Sequence, residues 1–227
     1  MATELTWLGH GTWSIDVDGH SVLLDPFLDD SPTAPVKSGD VRADTILVSH
    51  GHFDHVADAV KVATRTGATV VSNFEISQWL AAQGVSSTQA MNLGGGVSLP
   101  FGRVTMTPAL HSSGLPDGSY GGNPCGFLLH VADGVIYFAC DTALFSDMQT
   151  IARAGIELAV VPIGDVFTMG PADSVEAVKL LAPHRVAPAH YNTWPPIEQN
   201  AKAWADAVRD HTDARPVVVA PGEKIPL

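Results

Sequence analysis

The sequence predicts an α/β fold in which two stacked β-sheets are flanked by helices. Short β-rich segments fill the first third of the chain, and a second strand-like stretch runs from about residue 93 to 139. The last third alternates helices and strands. Strands followed by alternating helices and strands are typical of sheet layers sandwiched between helices. Because both halves contain a hairpin-rich stretch followed by helices, we expect two stacked sheets.

The first third contains a predicted hairpin and then alternating strands and helices. Asp18–Gly19 is a turn signal between two of the strands. Further along, Val56, Val60 and Ala63 fall on one face of a predicted helix, which Gly67 is suited to end. The predicted strands are LTWLGH, TWSIDV, HSVLLDP, ADTILVSH and ATVVSN, and the predicted helices are DHVADAVKVATRTG and FEISQWLAAQG.

The remaining two thirds contain strands around a polar loop, and then helices that each precede a strand. The loop, SSGLPDGSYGGNP, is rich in glycine and turn-forming residues. The predicted strands are RVTMTPAL, CGFLLHV, GVIYFAC, IELAVVPI, RVAPAH and RPVVVA, and the predicted helices are DMQTIARAG, DSVEAVKLLAP and IEQNAKAWADAVRDHT.

Length and composition limit the class of protein. A chain of 227 residues, 45% of them hydrophobic, matches one domain or two related halves that share a core. Cys125 and Cys140 are consistent with a reducing compartment, and a disulfide between them is the less favoured alternative. The start MATELTWLGHG lacks the features of a signal peptide, and no apolar run approaches the roughly 20 residues that span a bilayer. We therefore expect a cytoplasmic location without membrane insertion.

The charge balance limits the partners. The formal net charge is −12, from 12 basic and 24 acidic residues. Such a surface repels polyanions, so we expect a small-molecule substrate and no nucleic-acid partner. The acidity also has a simpler explanation in solubility. A homo-oligomer is compatible with the sequence, since such assemblies are common.

The most informative stretch is SHGHFDHV, residues 49–56, which holds three of the chain's 10 histidines. It lies where the strand TILVS ends and a helix begins, a position at which α/β folds place ligands. Imidazole nitrogens and carboxylates are preferred ligands of zinc and similar divalent metals. A solvated turn or a helix capped by Asp54 is the alternative, but the pattern His-x-His-x-Asp-His favours metal binding. The cluster consists of His50, His52, Asp54 and His55.

One cluster rarely completes a metal site, because a metal needs about four ligands. Three further candidates directly follow predicted apolar strands: His111, Asp141 and His190. For each residue taken alone, metal binding is no better an explanation than a simpler role as a helix cap or in a loop hydrogen bond. Their repeated placement after strands favours a shared site.

With these motifs the chain resembles the metallo-β-lactamase superfamily over essentially its whole length. HGHFDH at 50–55 is the most specific motif. Asp25 in LLDP matches the first motif, while His111, Asp141 in CDTALF and His190 in PAHYNTWP match the third to the fifth. GDVFTMGPADSVEAVKLLAPHRVAPAHYNTWPPIEQ is similar to a branch of uncharacterised, predicted metal-dependent hydrolases. More distantly, TWLGHGT resembles the N-acylphosphatidylethanolamine phospholipase D and ascorbate-phosphate lactonase branches.

The resemblance implies a single domain over residues 1–227, with an αββα sandwich of two stacked mixed sheets. It also implies two divalent ions roughly 3.5–4 Å apart, bridged by Asp141. Seven ligands are too many for one tetrahedral zinc but suit two ions and a shared water. Nitrogen and oxygen ligation makes zinc the first choice and leaves manganese and iron compatible. The resemblance assigns His50, His52 and His111 to the first ion, and Asp54, His55 and His190 to the second.

The resemblance supplies the hydrolase class. We expect a metal-bound hydroxide to attack a small phosphodiester, lactone or other ester, because two cations lower the pKa of water towards neutrality and stabilise developing charge. Asp54 and Asp141 are the predicted catalytic residues; Asp54 would orient the nucleophile or take its proton. An iron-dependent oxidoreductase and a non-catalytic metal-binding sensor are the alternatives.

Several residues are candidates for supporting the site or contacting substrate. Asp25 would either accept a hydrogen bond from a ligand imidazole or form a turn before Pro26, and the sequence favours neither. His10 would either face the site, for example as a donor to a substrate oxyanion, or serve as a structural loop residue. The remaining candidates, in FTMG and YNTWP, are Thr168, Tyr191, Asn192 and Trp194. The histidines expected to be non-ligands are His20, His130, His184 and His211.

Overall fold

The computed structural model describes residues 3–227 and contains two seven-stranded sheets. The strands of the first sheet are β1 (Thr3–Trp7), β2 (Trp13–Val17), β3 (His20–Leu24), β4 (Thr45–Leu47), β5 (Thr69–Asn73), β6 (Thr88–Met91) and β14 (Lys224–Pro226). Their order across the sheet is β14-β1-β2-β3-β4-β5-β6.

The second sheet is built from the middle and last thirds of the chain. Its strands are β7 (Gly96–Leu99), β8 (Gly102–Pro108), β9 (Cys125–Val131), β10 (Gly134–Phe138), β11 (Leu158–Pro162), β12 (Arg185–Ala189) and β13 (Arg215–Pro216). Their order is β13-β12-β11-β10-β9-β8-β7. The helices are α1 (Phe53–Val56), α2 (Ala59–Thr66), α3 (Phe74–Ala82), α4 (Met148–Ile151), α5 (Pro171–Leu181) and α6 (Ala201–His211), with short 3₁₀ turns at Ala152–Ala154 and Pro195–Ile197.

Both sheets follow the same plan. In the first sheet β14, β1, β2 and β3 pair antiparallel, and β3 to β6 pair parallel. In the second sheet β7 to β10 pair antiparallel, and β10 to β13 pair parallel. The predicted pair of mixed sheets is therefore confirmed. Parallel neighbours end together, as Leu24 opposite Leu47 and Pro162 opposite Ala189 show, so the segments that follow them gather at one edge.

Alternating side chains divide the core into layers. On β3, Val22 and Leu24 belong to the large cluster between the sheets, whereas Leu23 belongs to the cluster beneath α2 and α3. This alternation is the period-two pattern of a strand buried on both faces. Phe127, fully buried in the intersheet cluster, would cost about 3–5 kcal/mol of stability if truncated to alanine. The rigid intersheet core fixes the strand ends that carry the polar segments.

One predicted helix is interrupted. The segment 54–67 forms α1 and α2 rather than a single helix. At the break, the Asp58 N–H donates to the Pro26 carbonyl, and the Asp58 carboxylate accepts from the N–H groups of Leu28 and Asp29. These tertiary bonds replace the helical ladder locally. The predicted helix end is confirmed, since Gly67 caps α2 with a left-handed φ of 75°.

The other differences concern strands at the margins of the sheets. RPVVVA forms a strand only at Arg215–Pro216, and β6, β7 and β14 were not predicted. All four of these strands lie at sheet edges, where one side lacks a partner and the residues are short of buried neighbours. The predicted final helix begins at Ala201, so residues 197–200 lie outside it.

Two further findings concern the chain as a whole. Cys125 and Cys140 are both free, so the disulfide alternative does not hold. Within residues 3–227, none of the helices has the length and apolar character needed to span a bilayer.

Candidate metal centre

The polar residues predicted from the strand ends converge at one edge of the sandwich. Asp25 directly follows β3, and His190 directly follows β12. His10, Asp25, Cys140 and His190 all have left-handed φ values, between the 43° of Asp25 and the 54° of His190. Positive φ is uncommon for residues other than glycine. Three of these residues, and Asp141 next to Cys140, contribute their side chains to the cluster.

Three histidines form the first group of donors, which we call the outer triad: His50, His52 and His111. The Nδ1 atom of His52 lies 3.0 Å from Nε2 of His50 and 3.2 Å from Nε2 of His111. Two nitrogens bound to one tetrahedral zinc at the usual bond length lie about 3.3 Å apart. The nitrogens of the outer triad therefore have the spacing of ligands around a common ion.

Four buried residues form the second group, which we call the inner quartet: His10, Asp54, His55 and His190. The Oδ2 atom of Asp54 lies 3.8 Å from Nε2 of both His55 and His190. His10 Nε2 is closer, at 2.9 Å from the same oxygen, which is a hydrogen-bond distance. Asp54, His55 and His190 were predicted to share an ion, whereas His10 joins this group as the partner of Asp54.

Asp141 lies between the two groups. Its Oδ2 atom is 3.0 Å from Nε2 of His190 and 3.4 Å from Nε2 of His55, both in the inner quartet. The same oxygen is 3.5 Å from Nε2 of His111 and 3.8 Å from Nε2 of His50, both in the outer triad. One carboxylate oxygen thus faces histidine nitrogens from both sides, which is the placement expected of a shared ligand.

The donor set fits a divalent metal. His55 Nε2 and both ring nitrogens of His190 are buried, and none of them makes a hydrogen bond of good geometry, although Asp141 Oδ2 lies 3.0 Å from His190 Nε2. Leaving such atoms unpaired in the interior is costly. A cation bound by Nε2 of His55 and of His190 would satisfy two of these three nitrogens and neutralise the adjacent carboxylates. Imidazole and carboxylate donors together suit zinc, manganese or iron.

Asp25 supports the cluster from beneath. Its Oδ2 atom lies 2.9 Å from Nδ1 of His55 and accepts a 2.6 Å hydrogen bond from the Ser49 hydroxyl. Oδ1 accepts from the Ser49 N–H at 2.7 Å. Ser49 Oγ is also 2.9 Å from Nδ1 of His50. Asp25 therefore orients one predicted ligand directly and a second through Ser49, as carboxylates behind metal-bound histidines do.

His10 supports Asp54 in a comparable way. Burial lowers the pKa of His10 to about 4, so its ring is neutral at pH 7. Because a carboxylate only accepts, Nε2 carries the proton and donates to Asp54, and Nδ1 accepts from the Thr193 hydroxyl at 2.7 Å. Burial alone would raise the pKa of Asp54, but the hydrogen bond from His10 and the charge on His55 lower it. Since the His10 ring is fully buried, its contact is with Asp54 rather than with substrate.

The remaining electrostatics concentrate negative charge where the nitrogens meet. Burial lowers the pKa of His50 well below its ordinary value, which keeps it neutral. Burial also acts to lower the pKa of His55, but Asp141 and Asp25 outweigh it and raise that pKa well above normal. Burial alone would raise the pKa of Asp141, yet His190 and His55 hold it well below its ordinary range. An ionised carboxylate surrounded by imidazoles is an environment that a cation would stabilise.

A cleft of about 700 Å³ opens above the cluster. Trp194 is the only one of the four predicted substrate-contacting candidates that lines it. Tyr191 is buried and stacks on Trp7 with ring centroids 5.2 Å apart. Asn192 accepts from the Gln199 N–H at 2.7 Å and so closes its own loop. The lining consists of His52, Phe53, Asp54, His111, Ser112, Gly114, Leu115, Pro116, Asp141, Phe167, His190, Trp194 and Pro196, so Thr168 also lies outside it.

The histidines expected to be non-ligands lie outside the donor groups of the described chain. His20 contacts the Thr45 hydroxyl at 3.1 Å, and His184 contacts Glu157 at 2.8 Å. His130 lies on β9, and His211 ends α6.

Sequence reasoning missed several residues of the site. Ser49 supports the predicted ligand His50, and Thr193 supports His10, although each is adjacent to a residue that was predicted. Their hydroxyls carry no signal at the sequence level, because serine and threonine are common beside loops. Phe53 and Phe167 line the cleft, and their exposure of 56% each could not be read from an apolar pattern.

The chain matches a family model described as a beta-lactamase superfamily domain over residues 20–191. A metal-dependent hydrolase of Heliobacterium modesticaldum is 43% identical, over 99% of this chain and 97% of its own. A metal-dependent hydrolase of Thermus thermophilus is 45% identical, over 91% of this chain and 92% of its own. A solved metallo hydrolase from the archaeon Ignicoccus hospitalis superposes with a TM-score of 0.91 at 32% identity, covering 100% of this chain and 99% of its own.

Proposed function

The chain belongs to the family of beta-lactamase superfamily domains and is a metal-dependent hydrolase, and from this premise we propose that it works with two metal ions. The outer triad holds one ion, and Asp54, His55 and His190 hold the other. Asp141 is the shared ligand. The bond that is cleaved is a phosphodiester, a lactone or another ester, all of which are attacked by water at an electrophilic phosphorus or carbon centre.

The position of Asp141 carries this proposal. Its Oδ2 atom lies within 4 Å of nitrogens from both donor groups, at 3.0 Å from His190 and 3.5 Å from His111. A site for one ion would need only one of these groups. Two groups that share a carboxylate support a pair of ions at the short separation typical of dinuclear hydrolases.

When bound, the ions supply an activated water and a Lewis acid that stabilises negative charge developing on the substrate. The protein's own residues set the geometry. His10 holds Oδ2 of Asp54, so the Asp54 carboxylate is oriented towards the cleft that it lines. The Ser112 hydroxyl, 3.1 Å from Nε2 of His52, orients that ring at the open side. We assign to Asp54 the role of orienting the attacking water or accepting its proton.

Metal content and turnover test the proposal together. Protein purified without added metal should contain about two zinc or manganese ions per chain, and it should hydrolyse esters or bis(4-nitrophenyl) phosphate. Activity should disappear on chelation and return with added metal. The variant Asp30→Ala, at an exposed position that belongs to none of the donor groups, is the control for variants of the proposed ligands such as Asp141→Ala.

Other results would point elsewhere. One ion per chain with full turnover would contradict the dinuclear proposal. Redox-active iron with oxygen consumption would instead support an oxidoreductase on the same nitrogen and oxygen donors. Tight metal binding with no turnover across esters, lactones and phosphodiesters would indicate a sensor.

A further inference from the structure

One wall of the cleft is aromatic and rigid. Phe53 and Trp194 line it, and both pack on the buried ring of Phe27, with centroid distances of 5.9 Å each. Phe53 and Trp194 are themselves 6.0 Å apart. Ring pairs at these separations are favourable and restrict one another. The wall is therefore formed before any ligand arrives.

A second part of the lining is also apolar and fixed. Leu115 lines the cleft yet is only 5% exposed, because its loop packs down on Gly51. A Cβ atom on Gly51 would come 3.1 Å from Leu115 Cγ, so the two segments are in close contact. The Gly51 N–H donates to the Ser113 hydroxyl at 3.0 Å, which ties the loop to the metal-binding segment. Pro116 and Phe167, both of them exposed, are further apolar residues of the lining.

The charged groups in the lining are the carboxylates of Asp54 and Asp141, both of which are proposed metal ligands. Away from the ions, a bound molecule would meet aromatic rings, prolines and Leu115. Sites that bind phosphate esters usually surround the anion with arginine, lysine or converging N–H groups. The net charge of −12 adds long-range repulsion for any anion.

From this lining we infer that the substrate is an electrically neutral ester or lactone with an aryl or acyl group that fills the apolar cleft. This inference rests on the proposed hydrolytic function and chooses among its bond types. The reacting carbonyl would face the proposed metal ligands, and the apolar group would contact the Phe53–Trp194 wall and Leu115, which all line the same cleft. A volume of about 700 Å³ is within the range of ordinary small-molecule pockets.

A series of esters with one leaving group tests the inference on the metal-loaded protein. For 4-nitrophenyl acetate, butyrate and hexanoate, kcat/KM should rise by about four-fold for each methylene that becomes buried. Mono(4-nitrophenyl) adipate differs from the hexanoate by a terminal carboxylate in place of a methyl group. We expect its kcat/KM to be at least about ten-fold lower. Equal or better turnover of the adipate, or a preference for bis(4-nitrophenyl) phosphate, would overturn the inference.

Two lysine substitutions provide a matched comparison. Phe167 and Phe74 are exposed to nearly the same extent, 56% and 55%, but only Phe167 lines the cleft. Phe167→Lys should reduce the ratio of kcat/KM for the hexanoate to kcat/KM for the adipate. Phe167→Leu and Phe74→Lys should leave this ratio unchanged. If Phe74→Lys reduces it equally, the effect is one of overall charge and the inference fails.

The same experiment separates failure of the inference from failure of the proposed function. Absence of metal-dependent turnover for every ester would overturn the hydrolytic proposal. Binding of N-(4-nitrophenyl)hexanamide to the cleft would then be measured by the quenching of tryptophan fluorescence. Tighter binding of this amide than of its terminal-carboxylate analogue would support the neutral apolar site, and equal binding would refute it.

Discussion

The outer triad and the inner quartet are built from similar donors but differ in burial and support. All four residues of the inner quartet are buried, whereas His52 and His111 of the outer triad are partly exposed. The inner quartet is backed by Asp25 through His55 and by Thr193 through His10. In the outer triad, His50 is also connected to Asp25 through Ser49, but His52 is oriented by Ser112, which is itself exposed.

This difference separates two tasks. Buried, hydrogen-bonded donors keep their geometry without a metal and interact strongly in a poorly solvated interior. Partly exposed donors leave a side open through which water and substrate reach the cluster. We therefore expect the inner ion to be the more tightly held and the outer ion to exchange more readily.

The largest effect should follow from removing the residue that the two groups share. Asp141→Ala should lose at least one ion and lower hydrolysis by at least about 100-fold, because even the loss of a ligand's supporting partner costs about 10–100-fold. The variant should remain folded, since Asp141 lies in the segment that follows β10 rather than in a core cluster. Metal analysis and circular dichroism would check these points. Full activity in this variant would refute the bridging role.

A narrower change should affect only the inner quartet. His10→Ala removes the donor to Asp54, and we expect the affinity of one ion to fall about 10–100-fold while the other is unchanged. Competition with a chromophoric chelator would resolve the two affinities. Ser112→Ala is the matched variant on the other side and should weaken only the outer ion. Equal loss from both sites in either variant would show that the two groups do not act separately.

The pH dependence of the metal-free protein tests the burial of His10. Its pKa is about 4 in the folded protein, against an ordinary value of 6.5 for an exposed histidine, so between these values the unfolded chain binds more protons. Stability should therefore fall as the pH falls through this range, by roughly 3 kcal/mol from His10 alone. His55, whose pKa is raised, is protonated in both states there and does not oppose the change. Urea unfolding in the presence of a chelator would measure it, and His10→Gln should reduce the slope.

The smallest effect is expected outside both groups. His20 lies at the opposite end of β3 from Asp25 and packs against Phe101, with ring centroids 5.1 Å apart. His20→Ala should leave metal content and turnover at wild-type values, with a modest loss of stability from the aromatic contact. Loss of an ion from this variant would show that the ligand assignment is wrong.

The sequence predicted secondary structure correctly where an apolar pattern results from burial. Strands β9 and β11 were predicted because their apolar runs reflect burial on both faces. The edge strands β6, β7, β13 and β14 were predicted poorly or not at all, since a half-exposed strand leaves a weak pattern.

The same contrast holds within the site. His50 and Asp54 belong to a dense motif, but the pairing of His10 with Asp54 joins residues 44 positions apart, and no local pattern records it. The apolar walls of the cleft could not be predicted either, because the sequence does not distinguish an exposed phenylalanine such as Phe53 from a buried one.

The left-handed backbone at His10, Asp25, Cys140 and His190 implies a trade-off between robustness and catalysis. Each such conformation costs about 1–3 kcal/mol for a residue with a side chain. Glycine at Cys140, where the side chain is not a proposed ligand, would relieve part of that cost but would give the neighbouring carboxylate more conformational freedom. Substitutions intended to raise the thermal stability of this protein should therefore be made away from these residues with left-handed backbone conformation.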